Sequence, residues 1–113
     1  TMNAIDLNTG EIAWQVPLGE NEKLKKQGME NTGSFNRGGG IATAGGLIFI
    51  GATEDGKFRA FDQRSGKVLW EHELPGMASS IPSTYAANGK QYVVIAVGGN
   101  EKFKGGYVAF AIK

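Results

Sequence analysis

Two kinds of hydrophobic patterning alternate along the chain. The first is the unbroken apolar run, as in "GLIFIGA" (46–52) and "QYVVIAVGG" (91–99). A short strand that is apolar at every position has both faces buried, so each run predicts a central strand packed between neighbouring sheets. Turn chemistry brackets both runs. "TEDG" (53–56) follows the first, and "ANGK" (87–90) precedes the second with Asn88-Gly89, a strong hairpin signal. Just upstream lie "GGIATA" (39–44) and "SIPSTYA" (80–86), each of a length that suits an innermost strand.

The second pattern is an apolar strand that runs into a polar turn and out again. It occurs as "AIDLNTGEIAW" (4–14) and again as "AFDQRSGKVLW" (60–70), 56 residues later. Residues 4–18 and 60–74 align without a gap, with Ala4, Asp6, Gly10, Trp14 and Leu18 matching Ala60, Asp62, Gly66, Trp70 and Leu74. Each copy predicts a β-hairpin. The Asp carboxylate accepts backbone N–H groups inside the turn, and the Gly supplies a positive φ at its end. A partial third copy, "GGYVAFAIK" (105–113), places Ala109 and Phe110 where Ala60 and Phe61 stand. Repetition at this spacing is the signature of a stacked or radial architecture.

The strand order per unit is inner, buried, Asp-turn, Trp-bearing. Four antiparallel strands every 50 or so residues describe a propeller blade. The expected fold class is therefore all-β, a partial β-propeller in a single domain over 1–113. Residues of about 3–18 would form the last two strands of one blade, about 39–74 a complete blade, and about 80–112 three strands of a final blade. The only helical candidate is "NEKLKKQG" (21–28), polar and closed by Gly, which predicts a turn or two of surface helix.

Composition changes this picture little. Lys plus Arg is 12 against 11 for Asp plus Glu, so charge gives no argument for nucleic acid or an anionic membrane. There is no Cys, which excludes a disulfide scaffold and a thiolate metal site. The longest apolar run, 92–97, is six residues, far below the roughly 20 a membrane helix needs. No basic segment followed by an apolar stretch opens the chain, so no signal peptide is expected; a secreted parent would carry this sequence as an internal or C-terminal piece.

The pattern Ala-x-Asp-x-x-Thr-Gly-x-x-x-Trp resembles the repeat of quinoprotein propellers, which use pyrroloquinoline quinone (PQQ). In that family the Trp docks between adjacent blades, and a large ring buries roughly 150–250 Å² in such a space. "TAGGLIFIGAT" followed by "NGKQYVVIAVGG" is similar to the C-terminal region of membrane-bound PQQ-dependent glucose, quinate and polyol dehydrogenases, and the likeness covers nearly the whole chain. The resemblance implies an eight-bladed ring around PQQ and Ca²⁺ in the full-length parent, a sugar, polyol or other alcohol as substrate, ubiquinone as acceptor, and a periplasmic site with the parent anchored to the inner membrane. Metal ligands and the catalytic base would lie on earlier blades. No catalytic or metal residue is assigned here, and the chain alone is expected neither to bind cofactor nor to catalyse.

Candidate site residues come from two loops. "NTGSFNRGGG" (31–40) matches a family segment near the cofactor, so Asn36, Arg37, Gly38 and Gly39 are candidates for cofactor binding. Arg37 suits bidentate contact with the PQQ carboxylates. The competing reading is that the glycines only let backbones crowd and Arg37 is solvated. In "GGNEKFKGGY" (98–107), Asn100 stands where glucose-oxidising relatives carry a His near the substrate, which puts glucose in doubt and leaves the sugar or polyol open. His72, between Glu71 and Glu73, is a poor metal site, since strand neighbours point to opposite faces. Asp6, Asp62, Glu54 and Asp55 fall at turns, where carboxylates serve the backbone. The alternative function is a non-catalytic Trp-motif scaffold of the outer-membrane assembly type. No blade ends in Trp-Asp, and the paired glycines lack a kelch context, so those propellers are disfavoured. Open sheet edges predict that the isolated chain self-associates by edge pairing or strand exchange.

Overall fold

A computed structural model describes residues 1–112 of the chain. Nine strands and one short helix follow in order. They are β1 (Met2–Ile5), β2 (Ile12–Val16), α1 (Glu22–Lys26), β3 (Gly40–Ala42), β4 (Leu47–Ile50), β5 (Lys57–Asp62), β6 (Val68–Glu73), β7 (Ser83–Ala87), β8 (Lys90–Val97) and β9 (Gly106–Ile112). They form three antiparallel sheets, β1-β2, β3-β4-β5-β6 and β7-β8-β9, with every strand beside its neighbour in sequence. The all-β fold and blade-like sheets read from the sequence are therefore present. The helix also forms where expected. Asn21 caps it by accepting from the backbone N–H groups of Lys23 and Leu24.

The two full repeats fold into the same hairpin. Asp6 Oδ1 accepts from Asn8 N at 2.8 Å, and Asp62 Oδ1 accepts from Arg64 N at 3.1 Å. Gly10 and Gly66 take φ of 75° and 74°, a region that Cβ-bearing residues avoid. Both hairpins shift register after the alanine, between Ala4 and Ile5 and between Ala60 and Phe61. Each Ala lies opposite its Trp, Ala4 to Trp14 and Ala60 to Trp70.

The core lies in the two joints between sheets. Phe61, Ile50 and Leu18 are buried together, with Met2, Val16 and Ile48 packed around them, between the two- and four-stranded sheets. Phe49, Phe58, Ala60, Val93, Ile95 and Val97 are buried in the larger joint, between the four- and three-stranded sheets. Neighbours Phe49 and Ile50 on β4 thus enter different joints, which is why that run is apolar without interruption. On β8 only Val93, Ile95 and Val97 are buried. The opposite face, with Tyr92, Val94 and Ala96, has no sheet against it among the described residues.

The Trp residues sit at these joints. Trp14 Nε1 donates to Gln63 O at 3.0 Å, across the joint. A Cβ on Gly66 would stand 2.6 Å from the indole, so only Gly lets the turn lie under the ring. Trp70 instead meets Phe58 and, across the larger joint, Phe110, with centroids 5.9 and 5.0 Å away. His72 stacks on Trp70 at 5.8 Å and meets Phe110 edge-on, so it belongs to this aromatic group and to no metal site.

Candidate functional site

Alternating strand directions put the segment before β3, the β4–β5 turn, the segment before β7 and the β8–β9 loop at one end of the sheets. All the candidate site residues lie there. Backbone bonds knit the first two segments together. Arg37 N donates to Ala52 O and Glu54 N donates to Phe35 O, both at 3.1 Å, while Asn36 bridges to Thr53. The other two are joined in the same way, with Gly98 N donating to Met77 O at 2.9 Å and Ala78 bridging to Val97.

Within the first segment, Asn36 Oδ1 accepts from Gly38 N at 2.6 Å, which turns the chain toward β3. Gly38 lies where two sheets meet, since a Cβ there would stand 2.8 Å from both Ala52 Cβ and Ser80 O. A Cβ on Gly39 would come to 3.3 Å from Ile81. Close backbone approach is thus a sufficient reason for Gly38. Arg37 differs, because its side chain is exposed and forms no ion pair among the described residues. Its guanidinium lies 5.5 Å from the centre of the Phe35 ring, itself 59% exposed. A cation held on an aromatic face, with its donors open, is a ready receptor for a planar carboxylate.

Asn100 is not brought to this cluster. Its Nδ2 donates to Pro75 O at 2.9 Å, and its Oδ1 accepts from Lys102 N and Phe103 N at 2.9 Å each. It organises the β8–β9 loop and pins it to the segment that follows β6, leaving one Nδ2 hydrogen free.

Behind the Arg37 segment lies a charged group in which Asp55 does more than the turn chemistry its position predicts. Asp55 does cap its turn, accepting from Lys57 N at 3.2 Å. Its fully buried carboxylate also pairs with Arg59, itself 4% exposed. Arg59 Nη1 donates to Thr53 Oγ1 at 3.2 Å, and Nε donates to Glu71 Oε2 at 2.7 Å. Asp55 Oδ2 further accepts from Glu20 N at 3.0 Å, tying down the segment that carries α1. Burial raises the Asp55 pKa, but the hydrogen bonds from Arg59 and Thr53 and the Arg59 charge outweigh it, so the carboxyl titrates below its ordinary range. Glu71 is likewise lowered, with burial opposed by Lys57 and Arg59. The signal in the sequence was an arginine inside the buried strand "KFRAFD" (57–62), where a charge requires a partner.

The described residues hold no group of three or more His, Cys, Asp or Glu arranged to bind a metal ion, so none of them is assigned to one. Among the described residues, no helix is long and apolar enough to cross a membrane.

Comparison with known proteins agrees with this architecture. The family described as "PQQ: Glucose/ethanol/alcohol dehydrogenase, beta-propeller domain" matches residues 1–93. The chain is 44% identical over 105 residues to the glycerol dehydrogenase large subunit of Gluconobacter thailandicus, covering 88% of this chain and 14% of that one. It is 39% identical over 107 residues to the quinoprotein glucose dehydrogenase of Escherichia coli, covering 90% and 13%. Among solved structures, quinohemoprotein alcohol dehydrogenase from Comamonas testosteroni superposes with a TM-score of 0.66 at 32% identity, over 85% of this chain and 12% of that one. The chain thus spans about 14% of the length of the curated relatives it matches. With its sheets, its paired Trp joints and these likenesses together, the chain belongs to the PQQ-dependent dehydrogenase family and is a segment of its β-propeller domain.

Proposed function

We propose that this chain is the C-terminal propeller segment of a PQQ-dependent dehydrogenase that oxidises a sugar, polyol or other alcohol and passes electrons to a quinone such as ubiquinone. The observation that carries this reading is the exposed, unpaired Arg37 guanidinium on Phe35, at the end of the sheets where all the candidate loops gather. Its donor set fits a polycarboxylate quinone. Arg37 would hold a carboxylate of the cofactor, with Asn36 shaping the turn and Gly38 and Gly39 letting the chain pass close to it. When bound, the quinone supplies the hydride acceptor and its Ca²⁺ the polarising charge. The chain's own residues contribute binding and orientation, and Asn100 offers its free Nδ2 hydrogen to a substrate hydroxyl. The remaining blades of the parent are the partners that complete the site, in a periplasmic protein held at the inner membrane.

The test uses the full-length protein that carries this segment, supplied with PQQ and Ca²⁺ and assayed by dye reduction over a polyol panel. Arg37→Ala should weaken PQQ binding roughly 10- to 100-fold, as expected for a charged hydrogen bond, with its unfolding midpoint unchanged. Dye reduction that does not depend on PQQ, or PQQ affinity untouched by Arg37→Ala, would overturn the reading.

A further inference from the structure

The segment before β3 and the β4–β5 turn meet in a short antiparallel ribbon. Arg37 N donates to Ala52 O and Glu54 N donates to Phe35 O, on either side of the bridge between Asn36 and Thr53. Side chains alternate across an extended chain, so Phe35 and Arg37 share one face of the ribbon and Asn36 takes the other. That alternation lays the Arg37 guanidinium on the Phe35 ring, 5.5 Å from its centre. Thr53 stands opposite Asn36 and so shares its face, away from Arg37.

Two backbone bonds are too few to fix such a ribbon, since even an isolated hairpin is marginal in water. The anchor lies on the Thr53 face. Thr53 is 1% exposed. Its hydroxyl donates to Asp55 Oδ1 at 2.6 Å and accepts from Arg59 Nη1 at 3.2 Å, inside the buried ion pair. Its methyl closes on the backbone of Gly19, where an added Cβ would stand 3.2 Å from Thr53 Cγ2. Ser34, just before the ribbon, is tied to the same strip, its N donating to Leu18 O at 2.8 Å. Ala52 completes the arrangement. It is buried, yet its φ is 62°, a left-handed shape that a residue with a Cβ adopts at a cost. The strain sits where the chain leaves β4 and presents the Ala52 carbonyl to Arg37 N.

We infer, resting on the reading that Arg37 holds a carboxylate of the quinone, that Thr53 is a positioning residue for the cofactor: it fixes the ribbon on which that contact is made. Thr53 acts through Arg37. It carries the rigidity of the buried Asp55–Arg59 pair to an exposed guanidinium on the other face. A guanidinium already held in place loses less freedom on binding, so the same contact binds more tightly. A β-branched hydroxyl side chain suits this role, because one branch can be hydrogen-bonded while the other is packed. Ser keeps only the first of these, and Val only the second.

The test uses the full-length protein that carries this segment, freed of cofactor and titrated with PQQ in the presence of Ca²⁺, with hydrogen exchange of the cofactor-free form followed by mass spectrometry. Thr53→Val should speed exchange in the peptide spanning 34–38 and weaken PQQ binding roughly tenfold. Thr53→Ser should restore most of both. In an Arg37→Ala background, Thr53→Val should change PQQ affinity by less than about twofold, because the residue through which it acts is gone. Unchanged exchange over 34–38 in Thr53→Val would overturn the inference alone. So would a tenfold loss repeated in full in the Arg37→Ala background, which would mark Thr53 as a general support of the fold. PQQ affinity untouched by Arg37→Ala would overturn the cofactor reading, and the inference with it, even where exchange is faster.

Discussion

The Trp14 joint and the Trp70 joint come from one repeat, yet they are held by different forces. At the first, the indole is hydrogen-bonded to Gln63 O and lies over Gly66, and the interior carries Arg59, Asp55 and Thr53 beside Phe61 and Ile50. At the second, the indole meets only rings among its close aromatic neighbours, and the interior is aliphatic and aromatic from Phe49 through Val97. The shared turn and the Ala–Trp pair set the backbone. The residues at alternate strand positions decide whether a joint is closed by charge or by apolar packing. Arg59 and Phe58 are chain neighbours on β5, one facing each joint.

The largest effects should come from the buried residues that define each joint. Phe58→Ala removes a fully buried ring from the apolar joint and should lower stability by about 3–5 kcal/mol in urea unfolding, independent of pH. Asp55→Asn leaves the buried Arg59 with Glu71 as its only acidic partner and should cost roughly 3 kcal/mol at neutral pH. Equal pH dependence in the two variants would erase the distinction between the joints.

That distinction has a defined acid signature. The folded Asp55 pKa is depressed, so its stabilisation is complete above the unfolded value of about 4 and is lost as pH falls through the folded value. Wild-type and Phe58→Ala midpoints should therefore drop on acidification below about pH 4, whereas Asp55→Asn should show a shallower acid limb. A smaller effect is expected for Gly66→Ala. Its methyl would meet the Trp14 indole and its φ is positive, so a loss of roughly 1–3 kcal/mol is predicted, against roughly 1 for Gly10→Ala, where only the φ is strained.

The parts legible in the sequence were those set by local chemistry. The Asp-x-x-Thr/Ser-Gly turns close over a few residues, and the β4 run shows its burial on both faces because its apolar side chains follow one another without a break. The rest depended on register. Arg59 finds Glu71 only because β5 and β6 align those positions, and Asn100 finds Pro75 O across 25 residues. Reading Asp55 as a turn residue was correct as far as it went, since it caps the turn and carries the ion pair with the same carboxylate.

Each indole wedges two neighbouring sheets, and nuclear Overhauser contacts in the isotope-labelled chain report on that wedge. Cross-peaks should run from the Trp14 ring to Gly66 and from the Trp70 ring to Phe110, with the Trp14 Nε1–H protected from exchange by Gln63 O. An indole whose contacts all lie within its own sheet would contradict it.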